Sequence, residues 1–431
     1  MLSLLFLTAA LAETPSIPPW WAPDVDILTI RAAPDTSAQE RGRLVRGEPF
    51  EVSGVGEGHG CERWGRLDET AWACLDFASP TDREPVALPR ILPYEPPQPE
   101  DYETYIATGV LPEVAEGAGL LPFVYARRWK TWTGRTWADL AAWERADPSN
   151  GRLPAGRRVA FTDVRDTLRG RVFVQEDGSV VPEAEVYVLP ITRHSGRDLA
   201  LNPLPEGARA AWVVGYNGAP GWDEVGRGGG SQRRSEAPVE TFAYHVPLVV
   251  QEVPGEPRWW QIVSGPESTS PRYVQDLRDV RVWHPAPRPA EIGLDEVWID
   301  VDRSRSMMGV FRGDTPLYVT VVSPGLGSRA TPRGVTQIYM KKAWTDMRSR
   351  QDALEPYYVE GVPWAIYFRP RYALHGAYWH WGFGHPASHG CVNLSPYDAA
   401  WLYAHVLPEA TPGWLEVRVL PGAPATWVRV R

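Results

Sequence analysis

Five residues able to move protons or hold a metal crowd into one short stretch: His375, His380, His385, His389 and Cys391. A thiol becomes a good nucleophile when its surroundings lower its pKa and a base can take its proton. His375 precedes Cys391 by sixteen positions, so side chains at the ends of two neighbouring strands could meet. The chain has only three cysteines. Cys61 and Cys74 flank CERWGRLDETAWAC, which reads as two strands and a turn, and a Cys61–Cys74 bridge is expected. That leaves Cys391 without a partner, as a reactive thiol would be. Zinc is the competing chemistry, because His and Cys are its common ligands, although these spacings fit no standard zinc pattern.

The elements around this stretch must hold it. From Leu294 the sequence DEVWIDVDRSRSMMGVFRGDTPLYVTVVSPGLG is rich in Val, with Gly and Asp at the bends. It predicts a β-sandwich or barrel running to about residue 421. After Cys391, Ser395 is a good helix cap and Pro396 a favoured first-turn residue, so DAAWLYAHV reads as a helix. Its N-terminus would position the cysteine loop and lend it positive potential.

Ser388-His389-Gly390-Cys391-Val392-Asn393 resembles the signature of the L,D-transpeptidases, the YkuD family. His375-Gly376 and the turn Thr331-Pro332-Arg333-Gly334 match that family in order and spacing. The resemblance covers residues 294–421. It implies Cys391 as nucleophile, His375 as general base, and the Gly376 carbonyl as the group orienting the imidazole. It also implies an oxyanion hole from the amides of Gly390 and Cys391, with His389 in support. Residues 339–373 stand where the family has a substrate lid, with Tyr357, Tyr358, Trp364 and Tyr367 as its aromatic candidates. Ser388 and Asn393 complete the expected substrate contacts. Many members have Arg after the Val, and Asn393 leaves that role unfilled or filled elsewhere. The implied substrates are peptidoglycan stem peptides, with a stem, a wall-anchored protein or water as acyl acceptor. No cofactor and no metal is implied.

The rest of the chain reads as β-rich modules in an exported protein. Residues 1–12, ending in Ala10-Leu11-Ala12, look like a short secretory signal, which places the protein in the periplasm or cell wall. Residues 24–80 resemble a bacterial SH3 domain through Ile30–Pro34, Gly42–Val52 and Trp64–Cys74. A Pro-rich linker follows at 83–104. Residues 156–285 form a second β-rich region with SH3-like features, including a hairpin at Asp177-Gly178. The expected fold class is therefore mainly β and multidomain: SH3-like small barrels plus a C-terminal β-sandwich of the L,D-transpeptidase type. The N-terminal regions read as a wall-binding arm, separable from the catalytic domain near Pro289. A net charge of −9 argues against nucleic acid as a partner, and no apolar run reaches the ~20 residues of a transmembrane helix. Two other readings stay open. A papain-like endopeptidase needs a histidine after its cysteine, and only His405 follows Cys391. A non-catalytic or hydrolytic wall-binding protein would keep the fold without acyl transfer.

Overall fold

The computed structural model describes residues 17–92, 121–128, 133–154, 157–192, 194–225, 238–264, 271–276, 278–349 and 357–431. The expected signal segment and residues 93–104 of the expected linker lie outside them. The protein is mainly β. No described helix is long and apolar enough to cross a membrane. The chain divides into two compact units, one reaching to Leu88 and including Thr411–Glu416, the other made of Pro89–Ala410 and Val417–Arg431.

In the first unit the strand Ile27–Arg31 alternates inward Leu28 and Ile30 with half-exposed neighbours, the period of a strand covered on one face. It lies antiparallel between Glu40–Val45 and Ala71–Cys74. A second sheet places Trp20–Pro23 between Phe50–Glu51 and Ala78–Pro80. Trp21, Leu44, Phe50, Trp64 and Leu75 are buried in this unit. Cys61 and Cys74 are joined as a disulfide, with Cα atoms 5.9 Å apart.

The second unit is organised by a six-stranded sheet whose two faces bury different cores. Its order is Arg197–Asp198, Thr315–Val321, Met307–Arg312, Val297–Asp302, Trp427–Val430 and Gly334–Gln337. Strand alternation sorts the side chains. Ile299, Val301, Met308, Val310 and Tyr318 enter one core, shared with Ile366, Leu374, Val392 and Leu402. Trp298, Met307, Phe311, Val319 and Val321 enter the other, shared with Ala210, Trp212, Val214 and Trp283. A further sheet runs from Val124–Arg127 through Arg158–Phe161 and Tyr358–Arg369 to Met340–Arg348. Tyr372–Gly376 pairs antiparallel with Tyr358–Arg369 and parallel with Val392–Leu394.

The boundary expected near Pro289 is therefore not a structural one. Arg197 pairs with Val319 and Arg158 with Val359, so strands from 156–285 extend the sheets of the catalytic region. Tyr125 stacks on Tyr378 and donates to the Gly361 carbonyl at 2.6 Å. A fragment starting near Pro289 would expose Trp298, Phe311, Val319, Val321 and Phe383. At ~1.5–3 kcal/mol per large apolar side chain, that loss rivals the ~5–15 kcal/mol stability of a whole domain. Such a fragment is expected to show no cooperative transition in urea. A sharp transition at the midpoint of the full chain would show that residues 121–283 are dispensable for folding.

Candidate active site

His375 lies on the strand Tyr372–Gly376 and is only 2% exposed. Its Nδ1 is 3.1 Å from the Gly376 carbonyl oxygen. A carbonyl can only accept, so Nδ1 carries the proton and the lone pair sits on Nε2. Burial holds the ring neutral by pushing its pKa down to about 4. Trp364 packs behind this group: a Cβ on Gly376 would lie 3.4 Å from its ring.

Cys391 directly precedes the strand Val392–Leu394. In that parallel pair Leu374 faces Val392 and His375 faces Asn393. The pairing brings the strand that carries His375 beside the one that Cys391 leads into. Cys391 is half-buried and is a free thiol. Its Sγ is 3.7 Å from the Arg371 carbonyl oxygen, to which the S–H donates. Burial pushes the thiol up to about 11, against a smaller opposite pull from the Ala373 amide. At rest the pair is thus a neutral thiol and a neutral imidazole.

The helix Pro396–His405 forms as its sequence suggests, with Ser395 Oγ accepting from the Asp398 amide at 3.1 Å. It does not supply the expected potential at Cys391. The three strand residues between them span ~10 Å, and the dipole effect fades within one turn. The buried Asp398 carboxylate in the first turn meets that helix end instead. It accepts from the Gly196 amide, Tyr318 and Thr320. At the other end Lys341 is buried and caps the Tyr403 and Val406 carbonyls at 2.6 and 2.9 Å.

The Ser388–Cys391 turn is braced from within and from the Thr331 turn. Ser388 Oγ donates to the Cys391 carbonyl and accepts from the Gly390 amide at 3.0 Å. Thr331 Oγ1 donates to the same carbonyl at 3.3 Å and accepts from the Gly325 amide at 2.9 Å. Gly390 has φ +124°, and a Cβ there would lie 2.7 Å from the Tyr372 ring.

Several expected roles change as a result. The Gly390 amide is engaged by Ser388, so in this conformation it is not free for an oxyanion. Ser388, Asn393 and Trp364 are 6%, 2% and 5% exposed, and they brace the site from behind instead of lining a substrate surface. The Tyr357 ring is 5.0 Å from that of exposed His389, and burial, then the charge of Cys391, push its phenol up. Tyr358 is tied to Asp346 and lies under Arg157, while Tyr367 sits beside Tyr339. The five-residue His and Cys cluster does not converge. Among the described residues, metal-ligating atoms gather only at Cys61, Cys74 and Asp76, where both cysteines are in the disulfide. His405 is bonded to the Trp401 carbonyl at the far end of the helix, ~15 Å from its start. Thr331, Arg371, Asp398 and Lys341 had no assigned role in the sequence reading beyond the Thr331 motif, because their partners are distant along the chain.

Residues 296–426 match the family model of the L,D-transpeptidase (YkuD) catalytic domain. That stretch takes in Thr331, His375, Gly376 and the Ser388–Cys391 turn. Solved structures that resemble the chain include an L,D-transpeptidase of Enterococcus faecium, 19% identical over 32% of this chain and 50% of that one, at a TM-score of 0.26. One from Mycobacterium smegmatis is 22% identical over 39% of this chain and 76% of that one, also at 0.26. One from Xylanimonas cellulosilytica is 23% identical over 35% and 65%, at 0.24. The chain spans half the length of the Enterococcus protein. No curated protein sequence matches the chain.

The raised thiol pKa has a direct consequence. A group with its pKa near 11 is almost wholly protonated at pH 7, and its thiolate fraction grows tenfold per pH unit up to that value. Alkylation of Cys391 by iodoacetamide is expected to accelerate steadily from pH 7 to beyond pH 10. A plateau reached below pH 7 would instead reveal a preformed thiolate–imidazolium pair.

Proposed function

We propose that the protein is a peptidoglycan L,D-transpeptidase in which Cys391 is the nucleophile and His375 the general base. The observation that carries this reading is the fixed tautomer of His375. Its Nε2 is left as an acceptor, and His375 and the one free thiol among the described residues both lie inside the matched stretch, on chain segments joined by the parallel strand pair.

In the first step the Cys391 proton passes to His375 Nε2 while sulfur attacks the carbonyl of the third stem residue. The C–N bond to the terminal D-alanine breaks, and the imidazolium returns its proton to the leaving amine. In the second step an amine acceptor attacks the thioester, and the thiol is restored. A stem peptide, a wall-anchored protein or water can serve as acceptor. In this reading the Cys391 amide meets the developing oxyanion with His389 in support, a contribution of typically ~3 kcal/mol. Tyr357, whose phenol feels the charge of Cys391, is the lid aromatic assigned to the substrate in this reading. No cofactor enters either step. The first unit fits an SH3-like wall-binding module, and linking such a module to the enzyme raises local substrate concentration. Export to the periplasm or wall goes with this substrate, and a Cys61–Cys74 disulfide suits an oxidising compartment.

Mass spectrometry with a carbapenem tests the assignment. The wild-type chain is expected to gain one covalent adduct and Cys391→Ala none; an adduct on that variant removes Cys391 as nucleophile. His375→Ala is expected to slow acylation at pH 7 by roughly 10²–10⁴-fold, the usual contribution of a positioned general base. An unchanged rate would remove His375 from that role.

A further inference from the structure

The loop Ala377–Gly390 joins the base to the nucleophile, and residues far away in sequence grip it. Tyr244 Oη is 3.0 Å from the Trp381 carbonyl oxygen and 3.3 Å from that of Phe383. His245 Nε2 donates to the Phe383 carbonyl at 3.3 Å. His385 Nε2 in turn donates to the Val214 carbonyl at 2.6 Å, with the Tyr216 ring stacked on it at 4.9 Å. Gly384 has φ +93°, and a Cβ there would fall 2.3 Å from Val214 Cγ1, so the Val214 side chain packs directly on the bare Gly384 backbone.

The grip reaches the catalytic pair through His380. The Gly382 amide, between the two carbonyls that Tyr244 holds, donates to His380 Nδ1 at 3.2 Å. That puts the ring proton on Nε2, 2.9 Å from Asn393 Nδ2; turning this side-chain amide over brings its otherwise unpartnered Oδ1 to that position, where it accepts the proton. Asn393 is the residue directly opposite His375 in the parallel strand pair. Burial pushes His380 down to about 4 and His245 to about 3, so both rings stay neutral and keep these single-proton bonds at ordinary pH.

We propose that Tyr244 and His245 are positioning residues for the acyl transfer, which rests on the reading of Cys391 and His375 given above. They fix the carbonyls of residues 381–383. The fixed loop seats His380 on Asn393, and Asn393 keeps the His375 strand in register with Cys391. Neither residue touches the reacting atoms. The region that the sequence separates from the catalytic domain thus supplies part of its alignment.

The test uses the full-length protein, its acylation by a carbapenem and its deuterium uptake. Tyr244→Phe keeps the ring and removes the hydroxyl. The first-order acylation constant is expected to fall about tenfold, as for one or two lost hydrogen bonds, with the initial binding constant unchanged. Uptake in peptides covering 379–390 is expected to rise. His245→Leu should behave alike, whereas His245→Gln, which restores an N–H donor, should recover most of the rate. Variants that melt earlier yet acylate at the wild-type rate, with wild-type uptake at 379–390, would overturn the proposal. So would equal losses in His245→Leu and His245→Gln. If the wild-type protein itself fails to acylate, the functional reading falls, and the uptake at 379–390 still decides whether Tyr244 and His245 hold the loop.

Discussion

The hydrogen bond from His375 Nδ1 to the Gly376 carbonyl decides what this site can do. With the proton fixed on one nitrogen, the other is left as an acceptor, and burial keeps it neutral. No carboxylate is needed to orient the ring, so no negative charge stabilises an imidazolium before substrate arrives. The thiol correspondingly stays protonated, donating to the Arg371 carbonyl. On the proposed reading, reactivity is created during attack, when the proton leaves sulfur as the new bond forms. A protonated thiol is also less open to adventitious oxidation, which needs thiolate.

Several elements of the second unit set the backbone around that bond and the thiol. The parallel pair of Tyr372–Gly376 with Val392–Leu394 sets which residues share a face. The six-stranded sheet beneath it is buried on both sides, and the second side is filled by Trp212, Val214 and Trp283. Thr331 and Ser388 converge on the carbonyl of Cys391 itself. The surroundings of the site thus draw on chain segments that a linear reading assigns to two domains.

What was legible in the sequence is local. The bond of His375 to the carbonyl of its neighbour Gly376, the Ser395 cap and the mainly β class all depend on residues close in sequence. What escaped depends on long-range pairing. Alternating Val-rich strands look alike whether they close a small barrel or extend a neighbour's sheet, so Arg158–Phe161 and Arg197–Asp198 gave no sign of their partners near residues 359 and 319. Trp364 reads as a lid aromatic on composition alone, yet its place in a long strand sends it to the core. The helix after Cys391 was visible, but the Asp398 carboxylate that its N-terminus serves was not. That carboxylate has partners at Gly196, Tyr318 and Thr320.

The central claim is the protonation state of one imidazole, and nitrogen NMR reads it directly. In two-bond ¹H–¹⁵N spectra of the full chain at pH 7, His375 should appear as the neutral Nδ1–H tautomer, with Nε2 at the shift of an unprotonated nitrogen. An Nε2–H tautomer, or a ring with both nitrogens protonated, would contradict the account.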